Sequence, residues 1–375
     1  MGIQTNRAEQ FRSALQKGRQ GARLTREELV HLLGAQGKEC DRLYTAAREL
    51  RADNFGDRVF AYGFVYFSTY CRNNCTFCFY RRENKDSLRY RKTREEILAI
   101  SRQLAAAGVH MLDLTMGEDP LYVETAEGQD ALLEIAAAMK AETGLPLMLS
   151  PGALPRRAIE KAGEAGVEWY ACYQETHNRQ LFGKLRGGQD YDGRMDAKLT
   201  AKGSGILVEE GILAGVGETL WDIADSIREM ADRGFAQVRV MSFVPQVGAP
   251  LRVALGSELY ARELNTIAVM RIAMPDRLIP ASLDVAGRAG LRERLDAGAN
   301  VITSIIAPQS GWAGVSNATL DVDNGGRSLP SVIRTLEQCG LGLAGQDAFG
   351  TALEKLHLEC GRGEGNHRWR TASGS

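Results

Sequence analysis

The sequence of 375 residues lacks an excess of charge, a long apolar run and a cysteine content typical of disulfide-rich proteins. Its 46 lysines and arginines against 47 aspartates and glutamates give a formal net charge of -1, so no basic field favours nucleic acid as a partner. No stretch approaches the roughly 18 apolar residues that a membrane span needs, and the N-terminal residues lack the apolar core of a signal peptide. These absences predict a cytoplasmic protein with no nucleic-acid partner and no membrane attachment.

Three of the seven cysteines, Cys71, Cys75 and Cys78, form a C-x3-C-x2-C pattern directly after an apolar run that is typical of a strand. Three thiolates at this spacing can bind one soft metal centre, since sulfur ligands select zinc or iron–sulfur clusters over hard cations. A structural zinc site needs four ligands, usually in two pairs, and no second Cys or His pair lies at matching distance. The pattern therefore predicts an iron–sulfur cluster with one iron open to a non-protein ligand. The other four cysteines are scattered, which suits a reducing compartment.

The rest of the chain alternates between helical and strand patterns. Residues 1–57 are predicted to form an N-terminal helical extension, in which Thr25 and Glu28 make a capping box. After it, eight apolar strand segments are separated by helices or crossovers, and successive helices end at a glycine just before the next strand. Eight such units predict an α/β fold, a (β/α)8 TIM-type barrel over residues 58–345, with an open, doubly wound sheet as the alternative. Residues 346–375 are predicted to form a C-terminal helix and a disordered tail.

The cysteine pattern followed by an aromatic residue, here Phe79, resembles the cluster loop of the radical S-adenosylmethionine superfamily. In that superfamily the open iron binds the amino and carboxylate groups of S-adenosylmethionine, and an electron from the cluster cleaves it to a 5'-deoxyadenosyl radical. The resemblance implies a 4Fe-4S cluster and S-adenosyl-L-methionine as cofactors, with an external one-electron reductant as a partner. A non-catalytic iron–sulfur or zinc protein on the same scaffold is the alternative.

Polar or glycine-containing turns follow several predicted strands, at the barrel face where the chemistry of such folds is located. Glu118 lies in a turn that resembles the superfamily's glycine–glutamate turn for the methionyl amino group, and Ser150 precedes a Pro-Gly pair that could equally be a plain loop. Glu175 follows the fourth strand, where a carboxylate can accept ribose or ammonium hydrogens. Arg194 could bind the methionyl carboxylate or be a solvated helical arginine, and Gly215 lies in a glycine-rich exit that would let a flat base approach.

Charged residues interrupt or end three apolar strand segments, and a buried charge is costly unless it has a partner. Asp113 lies between two leucines, Arg239 lies between two valines, and Asp284 follows shortly after Ser282 at the end of a strand. One interpretation is a structural Arg–Asp pair. The other is a ligand clamp, in which Arg239 binds a carboxylate and the two aspartates bind ammonium groups. One carboxylate and two ammonium groups describe a diamino acid such as lysine or ornithine.

Longer stretches between about residues 25 and 345 resemble the methylornithine synthase family of pyrrolysine biosynthesis. They are DLTMGEDP, GLPLMLSPG, YQETHNRQLFGKLRGGQ, GILAGVGET, VRVMSFVPQ, LIPASLD, GANVITSI and YFSTYCRNNCTFCFY. The resemblance implies a radical mutase without a second cluster, which isomerises L-lysine to (3R)-3-methyl-D-ornithine by fragmentation and re-addition. It also implies that Glu175 and Arg194 bind S-adenosylmethionine, and that the amino acid is bound by Asp113, Arg239, Ser282 and Asp284. The alternative is another biotin-synthase-like enzyme, such as an [FeFe]-hydrogenase maturase, which also carries a GEDP turn.

Overall fold

The structure is a computed structural model that describes residues 2–252, 257–310 and 326–360 of the chain. Eight parallel strands and one short additional strand form its sheet. In chain order they are β1 Arg58–Ser68, β2 Met111–Met116, β3 Leu147–Ser150, β4 Trp169–Ala171, β5 Leu207–Ala214, β6 Gln237–Ser242, β7 Pro280–Ser282, β8 Val301–Ile305 and β9 Gly342–Leu343. The spatial order is β6-β5-β4-β3-β2-β1-β8-β7, and β9 pairs with the start of β1.

The two strands at the ends of this order meet and nearly close the sheet into a barrel. Gln237 of β6 forms a parallel bridge with Leu278, two residues before β7. The Val238 N–H also donates to the Leu278 carbonyl at 3.0 Å. The prediction of an α/β, (β/α)8 TIM-type barrel is confirmed, and the alternative of an open sheet is wrong.

Helices surround the barrel and precede it. They are α1 Gly2–Arg19, α2 Arg26–Leu33, α3 Lys38–Phe55, α4 Arg94–Ala107, α5 Pro120–Val123, α6 Ala126–Thr143, α7 Arg156–Glu164, α8 Arg179–Leu185, α9 Tyr191–Gly203, α10 Leu220–Arg233, α11 Ser257–Ala273, α12 Leu283–Ala286, α13 Leu291–Asp296, α14 Leu329–Gln338 and α15 Gln346–Cys360. No helix among the described residues is long and apolar enough to cross a membrane.

Local sequence signals explain where many of these helices begin and end. The capping box of Thr25 and Glu28 opens α2, with the side chain of each residue accepting from the backbone N–H of the other. Gly108, Gly144 and Gly234 follow α4, α6 and α10 with φ angles of +93°, +67° and +62°, the left-handed conformation that glycine adopts without strain. Each of these glycines turns the chain towards the next strand, as the sequence predicts.

Side chains of β1 alternate between the two faces of the barrel wall, as the two-residue period of a strand requires. Phe60 and Tyr62 belong to a cluster that includes Met111 and Trp169 and draws on six strands, β1 to β5 and β8, so it fills the barrel interior. Phe349 of α15 joins this cluster, so α15 covers the barrel end at which the strands begin.

The N-terminal helices share the main hydrophobic core with the barrel. Phe11, Leu29 and Leu43, one from each of α1, α2 and α3, lie in the same buried cluster as Ile267 of α11. The predicted disordered tail at 361–375 lies outside the described residues.

Candidate active site

A large cavity lies at the carboxyl ends of the barrel strands, where TIM-type barrels carry their active sites. All but three of the residues singled out from the sequence line it: Cys71, Cys75, Cys78, Asp113, Glu118, Ser150, Glu175, Arg194, Arg239 and Asp284. Residues that are far apart in the sequence are thus brought to one cavity by the ends of five strands, by the loop after β1 and by helix α9, which carries Arg194.

Phe79, Gly215 and Ser282 are the three candidates that the structure does not place in the cavity wall. The Phe79 carbonyl accepts from the side-chain amide of Asn84 at 2.8 Å, which fixes the exit of the cysteine loop. Gly215 has a φ of +91°, so its conformation alone accounts for the glycine. Ser282 caps α12, because its hydroxyl accepts from the Asp284 N–H at 3.2 Å.

The cysteine loop leaves the end of β1 and turns back against the end of β2. Gly117 permits this approach, because a Cβ atom there would lie 2.4 Å from the Tyr70 carbonyl oxygen and 3.0 Å from the Cβ of Cys71. Burial raises the pKa of Cys71 to about 11 and raises the pKa of Cys78 further. Thiols of this kind become ligands by releasing their protons when metal binds.

Within the described ranges, no three His, Cys, Asp or Glu side chains are grouped closely enough to hold one metal ion. A 4Fe-4S cubane binds each cysteine at a different iron atom, so its ligands lie around the cluster rather than at one point. All three loop cysteines line the same cavity. Three thiols around a shared cavity therefore fit a cubane cluster with one iron open towards the cavity.

Glu118 and Arg194 form a buried ion pair in the cavity wall, with Nη1 of the arginine donating to Oε1 of the glutamate. Burial alone would raise the pKa of Glu118, but the Arg194 guanidinium, hydrogen bonds from Asn73 and the Ala153 N–H, and the charge of Arg186 together outweigh it and hold that pKa at about 2. Gly152 gives the carboxylate its room, because a Cβ there would lie 2.1 Å from Cγ of Glu118. The Glu118 carboxylate and the Arg194 guanidinium thus lie side by side. This pair of opposite charges matches the ammonium and carboxylate groups of an amino acid.

Glu175 lies just beyond β4 in a strained backbone conformation. Its φ of +66° is in the left-handed region, which is unfavourable for a residue with a side chain. Two backbone hydrogen bonds of 3.0 Å hold it, from the Glu175 N–H to Gly211 and from the Leu213 N–H to Glu175. Burial raises the pKa of Glu175, and Arg186, whose Nη2 lies 2.6 Å from Oε1, opposes that rise. In this strained conformation Glu175 lines the cavity.

Asp113 is buried on β2 and lines the cavity. Its Oδ1 accepts from Ser150 Oγ at 2.6 Å and from Thr115 Oγ1 at 2.8 Å. Its Oδ2 is buried and has no hydrogen-bond partner among the described residues. Burial raises the pKa of Asp113 to about 7, although the two hydroxyl groups oppose the rise. Ser150, a candidate for cofactor binding, therefore orients Asp113 in this structure.

Arg239 is buried inside the barrel and pairs with a residue that the sequence analysis did not consider. Its Nε donates to Glu209 Oε1 at 2.7 Å, and the Tyr173 hydroxyl donates to Glu209 Oε2 at 2.8 Å. The interpretation as a structural Arg–Asp pair is therefore wrong in its partner. Nη2 of Arg239 is buried without a hydrogen-bond partner in the described part of the chain, and Nη1 reaches only the Met241 sulfur at 3.9 Å. Arg239 lines the cavity, so its Nη2 donor is available to a bound ligand.

Asp284 lies in α12 rather than at the end of a strand, and its carboxylate is already surrounded by donors. Ser304 Oγ lies 2.6 Å from it, Arg327 Nη1 lies 2.7 Å from it, and the Tyr66 hydroxyl lies 3.1 Å from it. An ammonium group that binds here would share Asp284 with the Arg327 guanidinium.

Some polar residues of the site were missed by the sequence reasoning. Tyr66, Tyr173 and Arg186 line the cavity, and Glu209 lies behind its wall. A signal existed for Glu209, because two successive glutamates in an apolar strand must face opposite sides, so one of them faces the barrel interior. Tyr66 belongs to an apolar run in which a tyrosine is ordinary, and Arg186 lies in a loop after α8, where periodicity gives no indication of direction.

The sequence model of the Radical SAM superfamily matches residues 65–230, which include the cysteine loop and the ends of β1 to β5. A TIM-type barrel with three cysteines at the mouth of such a cavity is the arrangement of a radical S-adenosylmethionine enzyme. Enzymes of this class use a 4Fe-4S cluster and S-adenosyl-L-methionine.

The chain is 44% identical to the 3-methylornithine synthase of Methanosarcina barkeri (strain Fusaro / DSM 804), over 94% of this chain and 99% of that protein. Its fold matches a crystal structure of methylornithine synthase (PylB) with a TM-score of 0.85 and 44% identity, over 90% of this chain and 99% of that one. The [FeFe] hydrogenase maturase subunit HydE of Thermotoga maritima is 33% identical, over 74% of this chain and 79% of that protein. The chain belongs to the 3-methylornithine synthase family.

Proposed function

We propose that this protein isomerises L-lysine to (3R)-3-methyl-D-ornithine, the first step of pyrrolysine biosynthesis. The proposal is carried by two buried residues that line one cavity, Asp113 and Arg239. Oδ2 of the aspartate and Nη2 of the arginine have no hydrogen-bond partner among the described residues. A carboxylate oxygen accepts from a cation, and a guanidinium N–H donates to an anion. An amino acid supplies an ammonium and a carboxylate group in one molecule.

The charges at this end of the cavity favour a diamino acid. Three carboxylates, those of Asp113, Glu209 and Asp284, lie with two guanidiniums, those of Arg239 and Arg327, in the described part of the site. When all five are ionised, they carry an excess of one negative charge. Lysine has one carboxylate and two ammonium groups, an excess of one positive charge, so its binding neutralises the site. An amino acid with a neutral side chain would leave a buried charge uncompensated.

At the other end of the cavity, we assign the cluster to Cys71, Cys75 and Cys78. Glu118 would accept from the methionyl ammonium group and Arg194 would bind the methionyl carboxylate, while Glu175 would accept from a second donor of the same cofactor. The bound cofactors supply a 5'-deoxyadenosyl radical, for which an external one-electron reductant provides the electron. The role of the polypeptide is then to hold lysine with its side chain towards the cofactor end.

The space between the two ends is lined by apolar and aromatic side chains, among them Phe64, Leu213 and Met241. Such a lining excludes water and strengthens the ion pairs that fix the substrate. We expect bound lysine to exchange slowly with solvent, because its ion pairs in the cavity must break before water can solvate the separated charges.

Competition for the site tests this assignment. We expect unlabelled lysine to displace radiolabelled lysine from the reconstituted protein in equilibrium dialysis. L-norleucine, which lacks the side-chain ammonium, and 1,5-diaminopentane, which lacks the carboxylate, should each compete at least about 100-fold more weakly, since each leaves a buried charge unpaired. Equal competition by L-norleucine would contradict a diamino acid as the substrate.

A further inference from the structure

Two side chains after α8 donate hydrogen bonds to the sulfur atom of Cys75. Nε2 of Gln189 lies 3.0 Å from Sγ, and Nη1 of Arg186 lies 3.5 Å from it. Cys75 is 5% exposed and Arg186 is 7% exposed, so water competes little for either group. Cys75 therefore lies in a polarised environment made by two side chains of one loop.

The direction of the Gln189 amide is fixed by its other partners. Its Oε1 accepts from Nη1 of Arg186 at 3.2 Å and from Nη1 of Arg194 at 3.3 Å. Arginine is a donor only, so the amide oxygen must face the two guanidiniums and the amide N–H group must face the sulfur. A flipped amide would place two N–H donors against two cations and would offer an oxygen to a thiolate.

The loop that carries these donors is also tied to the cysteine loop. The Thr76 N–H donates to the Leu185 carbonyl at 2.8 Å, immediately beside Cys75 and Arg186 in the sequence. Nη2 of Arg186 donates to Glu175 and, at 3.1 Å, to the Tyr173 carbonyl. Neither donor can turn away from the sulfur without breaking contacts to other parts of the site.

We propose that Gln189 and Arg186 are positioning residues that raise the reduction potential of the cluster by hydrogen bonding to the Cys75 thiolate. This assignment rests on the proposed ligation of the cluster by the three cysteines. Reduction adds one negative charge that spreads onto the cysteine sulfurs, and N–H donors and a guanidinium stabilise that charge. These side-chain donors make Cys75 a ligand through which the protein adjusts the potential.

The test is a redox titration of the reconstituted protein followed by electron paramagnetic resonance, without S-adenosylmethionine or substrate. Gln189→Leu removes the donor, and Gln189→Glu keeps an acceptor for both arginines but cannot donate to sulfur. We expect the midpoint potential to shift to more negative values in both variants, and further in Gln189→Glu, at unchanged iron and sulfide content. Gln180→Glu on the exposed side of α8 adds the same charge away from the loop, and its potential should equal that of the wild type.

Wild-type potentials in both Gln189 variants with a full cluster would overturn the role of the amide. If the variants do not assemble a cluster, a measurement on the wild-type protein tests the contact between Gln189 and Cys75 instead. With glutamine side chains labelled with 15N, the reduced cluster should show a 15N hyperfine coupling, and its absence would overturn the proposal. A failure of the ligand assignment is distinguishable, because the cluster would then persist in Cys75→Ser.

Discussion

The guanidinium of Arg239 and the carboxylate of Glu209 form an ion pair inside the barrel, 2.7 Å from Nε to Oε1, between neighbouring strands β5 and β6. Both side chains are almost completely buried. The pair leaves Nη2 of the arginine free within the described structure. Arg239 can therefore serve both as a structural partner and as a ligand-binding residue, because its Nε pairs within the protein while Nη2 remains available and the residue lines the cavity.

Replacement of Arg239 separates these roles. Arg239→Met should strand the buried Glu209 carboxylate, cost about 3–5 kcal/mol of folding free energy and lower the melting temperature. In the double variant Glu209→Gln/Arg239→Met no charge is stranded, so most of the stability should return while lysine binding stays lost. Thermal unfolding and equilibrium dialysis of lysine measure the two effects. Normal lysine binding by the double variant would show that Arg239 does not hold the substrate carboxylate.

Asp113 gives a pH-dependent stability that a single substitution should remove. Its pKa in the folded protein is about 7, above its ordinary value of 3.8, so folding favours the protonated form. Its contribution to stability is therefore fully present below about pH 4 and is lost as the pH rises through 7, by up to about 4 kcal/mol. In Asp113→Asn the melting temperature should depend less on pH between about 5 and 8.

Lysine provides the control for this prediction, because its ammonium group stabilises the ionised carboxylate. Added lysine should raise the melting temperature of the wild type more at about pH 8 than at about pH 5, and should not raise that of Asp113→Asn. An unaltered pH profile in the variant would assign the dependence to another group.

The cluster assignment is tested by a pair of cysteine variants. Cys75→Ser should fail to bind a full 4Fe-4S cluster on reconstitution, which is measured as iron and acid-labile sulfide per chain and as visible absorption. Cys172 is 2% exposed and lines the same cavity, so Cys172→Ser is a matched control that should retain a full cluster. A complete cluster that still cleaves S-adenosylmethionine in Cys75→Ser would contradict the assignment.

The strained conformation of Glu175 is supported from outside the barrel. Lys198 and Glu210 are both fully buried and paired, and Glu210 also accepts the Gln174 N–H at 2.7 Å. Burial alone would raise the pKa of Glu210, but the Lys198 ammonium and the neighbouring His177 together outweigh it and hold that pKa at about 2. Lys198→Met should cost about 3–5 kcal/mol and weaken binding of S-adenosylmethionine, because the backbone beside Glu175 loses its anchor.

The double variant Lys198→Met/Glu210→Gln controls for the stranded charge of this pair. It should regain most of the melting temperature, since a neutral amide can still accept the Gln174 N–H. The paired wild type should lose stability as the pH falls from about 4.5 towards 2, because a carboxyl with a lowered pKa stabilises the fold only while ionised. Unchanged cofactor affinity in Lys198→Met would limit the pair to a role in folding.

The fold was predictable because its signals are periodic and local. Eight apolar segments, helix-ending glycines and the capping box at Thr25 each act within a few residues, and their sum indicates a barrel. The bridge between Gln237 and Leu278 that closes the barrel is a contact between distant segments, which no local pattern contains. Closure could therefore only be inferred from the number of strands.

Site residues were predictable from the sequence where their charge contrasts with apolar neighbours, and were missed where it does not. Asp113 and Arg239 stand out as charges in apolar strands, and the structure places both in the cavity wall. Gln189 and Arg186 lie in a polar loop, where a polar residue is unremarkable, so their approach to Cys75 follows only from the three-dimensional path of that loop. For the same reason, Arg327, the partner of Asp284, had no sequence signal.

The most direct test is an anaerobic incubation of the reconstituted protein with uniformly 13C-labelled L-lysine, S-adenosylmethionine and a one-electron reductant, followed by chromatography and mass spectrometry. We expect a new labelled amino acid that has the same mass as the labelled lysine and co-elutes with 3-methylornithine. The stable double variant Glu209→Gln/Arg239→Met should not form this product. Formation of 5'-deoxyadenosine with lysine recovered unchanged would contradict the proposed isomerisation.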